Sequence, residues 1–117
     1  SLIESSVKNV YGNPEKVTPE LIDRYFDIAT RKGNRRALME RFKQMSLNEL
    51  SGRISDIKKP TLILWGERDR LIPPDISKRF QRDIAGSRLV TFEDLGHVPQ
   101  EEDPARTFTV VKDFLVM

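Results

Sequence analysis

The sequence contains no cysteine and only one histidine, His97. Without cysteine there is no disulfide framework and no thiolate metal site, and one imidazole does not complete the usual ligand set of zinc. The acidic run "EEDP", residues 101–104, can be interpreted as a calcium site made of carboxylates. An acidic helix start explains it more simply. We therefore predict no metal and no cofactor. The lack of cysteine suits a reducing compartment, and we predict a cytoplasmic protein.

A strong charge of one sign and long apolar runs are also missing. Twenty basic residues stand against eighteen acidic ones, which leaves a net charge of +2. This excess is too small to indicate nucleic acid or a bilayer as partner, and no aromatic residues interleave with a basic patch. No stretch approaches the roughly 20 apolar residues of a membrane span, and the first residues do not have the form of a signal peptide. We therefore predict neither a nucleic-acid nor a membrane partner.

The 117 residues suffice for one domain, and their pattern changes near its middle. Residues 1 to about 55 have helical periodicity, beginning with a helix already under way at Leu2. Thr18 before Pro19 predicts the start of a second helix, and Asn34 after Gly33 is expected to cap a third. A further short helix is predicted around three apolar residues, Leu47, Leu50 and Ile54. Together these helices have a wide apolar face, which we expect to pack over another part of the fold.

From Ile57 onward the sequence predicts alternating strands and helices. "TLILW", residues 61–65, and "RLVTF", residues 88–92, are short runs of β-forming residues. The first is continuously apolar, which predicts a strand covered on both faces. Helices are predicted between Asp75 and Gly86 and over residues 104–116, the latter with Phe108, Val111 and Leu115 on one side. A strand, helix, strand order predicts parallel strands joined by a right-handed crossover.

The two strands end in residues that can carry chemistry. In an open parallel sheet, ligands collect beyond the carboxyl ends of the strands, and neighbouring strands lie about 5 Å apart. The first strand ends at Gly66 and leads to Asp69, with prolines at 73 and 74 stiffening the return; the second leads to His97. A buried carboxylate on one imidazole nitrogen would orient the ring as a general base. The alternatives are an Asp69 paired with a neighbouring arginine, Arg68 or Arg70, and a His97 that is only a loop residue.

Two motifs in this region resemble the closing part of an α/β-hydrolase. "PTLILWGERDRLIPP" matches the family's Gly-x-x-Asp-x-x-x-Pro at Gly66, Asp69 and Pro73. "LGHVPQEEDP" matches Gly-His-x-Pro-x-x-Glu-x-Pro, with members at Gly96, His97, Pro99, Glu102 and Pro104. The resemblance implies that Asp69 is the acid and His97 the base of a catalytic triad. It also implies that Glu102 and the prolines are structural and shape the start of the last helix.

The resemblance further implies an α/β fold class and a domain organisation. Residues 1–55 more loosely resemble the helical cap (lid) of such enzymes, and residues 56–117 the C-terminal portion of the core, a βαβα unit with two parallel strands. Tyr11, Tyr25, Phe26 and Phe42 either line a pocket in this cap or pack between helices. The expected function is hydrolysis of an ester or related small molecule.

The nucleophile of the family's triad is absent from this sequence. It sits in a Gly-x-Ser-x-Gly elbow, or with aspartate in place of serine, and no two of the six glycines are four positions apart. We therefore predict a fragment that lacks the N-terminal half of the enzyme and is inactive alone. We also expect it to associate with itself through the exposed sheet edge and cap face, or to be marginally folded. The alternative is a non-catalytic interaction fragment of the same fold.

Overall fold

The computed structural model describes residues 1–45 and 51–117. In these two ranges the chain forms a row of helices followed by a two-stranded sheet with helices beside it. The helices are α1 (Leu2–Val10), α2 (Pro19–Thr30), α3 (Asn34–Gln44), α4 (Asp75–Asp83), α5 (Pro99–Glu102) and α6 (Pro104–Leu115). The strands are β1 (Leu62–Gly66) and β2 (Arg88–Phe92), and short 3₁₀ helices cover Pro14–Lys16 and Ser51–Asp56.

Side-chain caps fix the starts of the first two helices. Ser1 and Glu4 form a reciprocal capping box at α1. Thr18 precedes Pro19 at the start of α2, and its hydroxyl accepts a hydrogen bond from the Leu21 N–H at 3.3 Å, which confirms the predicted cap. Of the predicted next short helix, Ile54 lies in a 3₁₀ helix, and the predicted positions 47 and 50 lie outside the described residues.

The predicted cap at Asn34 is wrong. The residue before α3 is Gly33, whose φ of +94° is a left-handed conformation that glycine adopts without steric cost. Asn34 is the first residue of the helix, and its side-chain amide donates backward to the carbonyl of Ile28 at 2.7 Å. Gly33 turns the chain so sharply that this side chain faces the end of α2 instead of the first turn of its own helix.

The sheet has the predicted parallel pairing. Leu62 lies opposite Arg88 and Gly66 opposite Phe92, with the register continuous between them. Strand β1 starts one residue later than predicted, at Leu62, and includes Gly66. The prediction that both faces are covered holds only in part, because Leu62 to Trp65 are half-buried. In the described residues the sheet consists of two strands, so each strand is paired on one edge.

The core lies around the end of β2 and the loop after it. Its apolar members are Val7, Tyr11, Ile84, Phe92 and Leu95. The predicted apolar stripe of α6 is largely at the surface, since Phe108 and Leu115 are exposed, and the buried residue of that helix is Thr107. The core thus joins the end of α1 to the loop that follows β2.

Helices α2 and α3 lie side by side with a groove between them. Its volume is about 590 Å³. It is lined by Ile28, Ala29, Asn34, Arg35, Ala37, Leu38 and Arg41. None of the four aromatic residues expected to line a pocket is among them: Tyr11 is buried elsewhere, and Phe26 and Phe42 are exposed. Within the described ranges, every helix is too short or too polar to cross a bilayer.

Candidate active site

Asp69 and His97 are in contact. Asp69 lies in the loop after β1 and His97 in the loop after β2, and the distance from Asp69 Oδ2 to His97 Nδ1 is 2.9 Å. Because the strands are parallel, both loops leave the same end of the sheet. The predicted contact is confirmed. The ion pair of Asp69 is with His97 and with neither Arg68 nor Arg70; the guanidinium of Arg70 donates instead to the carbonyls of Tyr11 and Gly12.

The second oxygen of Asp69 is held by the backbone of its own loop. Oδ1 accepts hydrogen bonds from the N–H groups of Leu71 and Ile72, both at 2.9 Å. The side chain is only 4% exposed. The sequence predicts that the prolines at 73 and 74 hold Asp69 in place. They directly follow the two donor residues along the chain, but the hydrogen bonds to Asp69 come from the backbone of those donors. Three hydrogen bonds therefore fix one buried carboxyl group.

The same contacts keep Asp69 ionised. Burial is the largest single influence and by itself would raise the pKa of this carboxyl group. The Ile72 N–H, the His97 imidazole and the Leu71 N–H together outweigh it, so the pKa lies below its usual value. A carboxylate only accepts hydrogen bonds, so the His97 Nδ1 must carry the proton of the shared bond. That leaves Nε2 as the nitrogen that can accept a proton.

The imidazole is accessible. The His97 side chain is 31% exposed, in contrast to its carboxylate partner. A cavity of about 120 Å³ opens beside the pair, and Leu64, Ile72 and Pro99 contribute apolar walls to it. A general base must lie within hydrogen-bond reach of the proton it removes, and the imidazole lines a recess that has room for such a group.

Three glycines let the backbones around the pair approach closely. A Cβ atom on Gly66 would fall within 3.0 Å of backbone atoms of Leu95 and Gly96. A Cβ on Gly96 would clash in the same way with the backbone of residues 10–12, and one on Gly12 with that of residues 94–96. The end of β1, the His97 loop and the end of α1 are thus stacked without room for a methyl group.

Glu102 joins two of these backbones. Its Oε2 accepts from the N–H of Gly96 at 2.8 Å and of Gly12 at 2.9 Å, and its Oε1 accepts from the N–H of Asn13 at 2.8 Å. The expectation that Glu102 shapes the start of the last helix is wrong, because a different residue caps that helix. Asp103 caps α6 through the Arg106 N–H, and the carboxylate of Glu102 points to the His97 loop.

Glu101 connects the same region to α2. Its Oε1 accepts from the Tyr11 hydroxyl at 2.7 Å and from the Tyr25 hydroxyl at 3.0 Å. Burial and then the hydrogen bond to Glu101 raise the pKa of both phenols, that of Tyr25 to about 12. Both therefore remain protonated donors at neutral pH. The carboxylates of Glu101 and Glu102 thus bind different groups of the N-terminal helical region, residues 1–55: the first binds two tyrosine hydroxyls and the second binds two backbone N–H groups.

The hydrogen bonds of Glu101 and Glu102 are not predicted from the sequence, although the sequence motif does single out Glu102. Glu102 is part of a motif, but its partners Gly12 and Asn13 lie 90 and 89 residues away along the chain. Gly12 shows no local pattern that pairs it with Gly96. The two tyrosines stand out only as aromatic residues, and no pattern assigns their hydroxyl groups to an acid. The described residues contain no cluster of three or more metal-ligating side chains.

Comparison with known proteins gives the family. The model of the alpha/beta hydrolase fold family matches residues 11–104, which include Asp69, His97 and Glu102. The chain belongs to the α/β-hydrolase fold family. The two parallel strands with their helices form the C-terminal part of this fold.

Curated relatives of this α/β-hydrolase chain are longer proteins. A 2-hydroxy-6-oxononadienedioate/2-hydroxy-6-oxononatrienedioate hydrolase of Escherichia coli is 35% identical over 105 residues, which cover 84% of this chain and 36% of that protein. An uncharacterized hydrolase, YugF, of Bacillus subtilis is 36% identical over 62 residues, 53% of this chain and 23% of that protein. The chain thus spans about a quarter to a third of the length of these relatives.

Solved structures show the same fold. A serine hydrolase involved in carbazole degradation superposes with a TM-score of 0.85 at 22% identity, over 97% of this chain and 46% of that one. A meta-cleavage product hydrolase from Pseudomonas fluorescens has a TM-score of 0.81 at 21% identity, over 97% of this chain and 44% of that one. At this identity the likeness establishes the fold of the α/β-hydrolase chain and nothing finer.

Proposed function

We propose that Asp69 and His97 are the acid and base of a catalytic triad in a hydrolase. The hydrogen bond of 2.9 Å between them, at the carboxyl ends of two adjacent parallel strands, is the observation that carries this proposal. The 117 residues contain no Gly-x-Ser-x-Gly elbow, so the nucleophile comes from outside this chain. A non-catalytic binding fragment would have no use for an imidazole oriented by a buried carboxylate.

The mechanism follows from which atoms are free. His97 Nε2 removes the proton from a serine hydroxyl as its oxygen attacks the substrate carbonyl, and Asp69 stabilises the imidazolium that forms. The imidazolium then gives its proton to the leaving group, which leaves an acyl-enzyme. Water, deprotonated by the same nitrogen, then attacks the acyl carbonyl; the serine oxygen leaves with the proton of the imidazolium, which releases the acid and restores the serine hydroxyl. If the nucleophile is an aspartate, His97 acts only in the second step, on water.

Two substrate classes are supported to different degrees. An ester or similarly activated acyl compound is the simplest substrate for this pair. The relative from Escherichia coli favours a second candidate, a 6-oxo dienedioate of the kind in its name, because the match covers 84% of this chain. In either case we propose that the helices of residues 1–55 are the cap over the active site, where they select substrate and exclude water.

The test compares the chain alone with the protein encoded by its complete reading frame. Both are assayed with p-nitrophenyl acetate and with 2-hydroxy-6-oxononadienedioate. We expect hydrolysis of at least one compound by the complete protein, loss of that activity in His97→Ala, and no hydrolysis above the buffer rate by the chain alone. Turnover by the chain alone that disappears in His97→Ala would contradict the need for an outside nucleophile. A folded complete protein inactive on both compounds would support the non-catalytic alternative.

A further inference from the structure

Glu102 is a buried carboxylate whose hydrogen bonds all go to backbone N–H groups. The residue is 8% exposed, and among the described residues no lysine or arginine forms an ion pair with it. A buried carboxylate is costly unless its oxygens accept hydrogen bonds. Here Gly12, Asn13 and Gly96 supply three donors within 2.9 Å. The group is therefore satisfied by loops, and in return it fixes them.

The loops that Glu102 fixes include the residue before the general base. The Gly96 N–H donates to Glu102, and the next N–H, that of His97, donates to the carbonyl of Val10 at 2.8 Å. Val10 is the last residue of α1, and Gly12, two residues on, is bonded to the same carboxylate. Two consecutive peptide groups of the His97 loop are thus fixed, one directly by Glu102 and one through the segment that it holds.

We propose that Glu102 is a positioning residue that sets the His97 imidazole against Asp69. The side chain of His97 starts from a backbone whose orientation depends on the Gly96 amide, so a shift there moves the ring. A misplacement of about 1 Å can reduce catalysis about 100-fold. The catalytic consequence rests on the proposed function, whereas the geometric effect on the imidazole does not.

A carboxylate is required because all three partners are donors. In Glu102→Gln the amide oxygen can accept from Gly12 and Gly96, but the NH₂ group then faces the N–H of Asn13; the opposite rotation loses the other two bonds. Glu102→Asp keeps two acceptor oxygens on a side chain shorter by one methylene. The two variants therefore separate the charge and acceptor character of the group from its reach.

The single histidine makes the test direct. Because His97 is the only imidazole in the chain, its ring nitrogens give unambiguous ¹⁵N signals in nuclear magnetic resonance spectra. In the wild type we expect the Nδ1–H form, with slow exchange of that proton with water. In Glu102→Gln we expect exchange faster by about tenfold or more and a mixture of ring tautomers. Glu102→Asp should recover part of the slow exchange, and Asp69→Asn should abolish it.

The matched control is Glu101→Gln. It makes the same change one residue earlier, at a carboxylate that contacts Tyr11 and Tyr25 but neither Gly96 nor His97. We expect unchanged exchange of the His97 Nδ1 proton. Backbone amide spectra report whether each variant is folded. Exchange in a folded Glu102→Gln that equals that of Glu101→Gln would overturn the proposal, and so would complete unfolding of both Glu102 variants, which would make Glu102 a residue of global stability.

Kinetics on the complete protein distinguish this proposal from the proposed function. We expect Glu102→Gln to lower kcat about 100-fold with KM little changed, because ring orientation matters in the transition state. An inactive wild type in which Nδ1 exchange still depends on Glu102 would remove the hydrolase function and keep the positioning role. An active wild type whose kcat and Nδ1 exchange are both unaffected by Glu102→Gln would keep the function and overturn the positioning role.

Discussion

Residues 1–55, the helical segment, and residues 56–117, the strand-containing segment, differ in how far they bury their apolar side chains. Helices α2 and α3 contain no buried residue, and Phe26 and Phe42 are more than half exposed. The second segment buries Phe92 and Leu95 beside the Asp69–His97 pair. The Asp69–His97 pair is therefore supported by contacts within this chain, whereas the apolar faces of α2 and α3 have no comparable cover among the described residues.

The two segments also differ in their long-range hydrogen bonds. Those of the helical segment are concentrated between Val10 and Asn13, next to the His97 loop, and in the described ranges Tyr25 is the one further link from α2. Substitutions in the strand-containing segment should therefore affect chemistry and folding, and substitutions on α2 and α3 should mainly affect association.

The largest effect is expected for Asp69→Asn in the complete protein. The variant keeps the size of the side chain but favours the wrong imidazole tautomer, and the same aspartate-to-asparagine change in the triad of a serine protease lowers kcat about 10⁴-fold. We expect a similar loss in steady-state hydrolysis. Asp75→Asn, at an exposed acid of α4, is the control and should leave the rate unchanged. Equal rates in both variants would remove Asp69 from the mechanism.

The next effect concerns stability at the stacked backbones. Gly66→Ala places a methyl group against the backbone of Leu95 and Gly96, and we expect it to lower the free energy of unfolding by about 2–3 kcal/mol or to prevent folding. Gly52→Ala introduces the same methyl group into open space and should change it by no more than about 0.5 kcal/mol. Urea unfolding followed by circular dichroism measures both. Similar midpoints for the two variants would show that the stacking is not tight.

A smaller effect is expected from acid. The pKa of Asp69 is lower in the folded chain than in the unfolded chain, so its contribution to stability is fully present above the unfolded pKa, near 4, and is lost as the pH falls through the folded value. We expect Tm to fall below about pH 4, and to fall less in Asp69→Asn, which has no group to protonate at this position. Asp75→Asn, at an exposed acid of α4, is the control and should follow the wild-type profile. A Tm profile of Asp69→Asn that matches the wild type would contradict the assigned direction of the pKa.

The smallest effect on stability is expected on α3. Phe42 is 58% exposed, so Phe42→Ser should change the free energy of unfolding by no more than about 0.5 kcal/mol. We expect the wild-type chain to self-associate, and Phe42→Ser to shift sedimentation toward the monomer, because an exposed apolar face is removed from the contact. Lys43→Ser, at the next position, should not. A wild type that sediments as a monomer at every concentration and unfolds in one sharp transition would contradict the expected association.

Local chemistry explains which features could be predicted from the sequence. The Thr18 cap, the parallel strands and the approach of Asp69 to His97 each follow from a short pattern combined with a general rule of chain geometry. The prediction for Asn34 failed because the left-handed Gly33 turns the helix start away from the expected capping geometry. The prediction that both faces of β1 are covered holds only in part. Apolar side chains indicate that a strand tends to be buried, but they do not provide the other elements that would pack against it.

The sequence by itself determined that His97 is the single imidazole in the chain and that Asp69 and His97 follow consecutive strands, which run parallel because a helix joins them. Only the tertiary structure decided what holds them: the N–H groups of Leu71 and Ile72 on the acid, and Glu102 on the loop of the base. Eighteen acidic residues offer the same carboxylate chemistry. Which of them meets three unpaired N–H groups depends on how distant parts of the chain are brought together, and no local pattern contains that information.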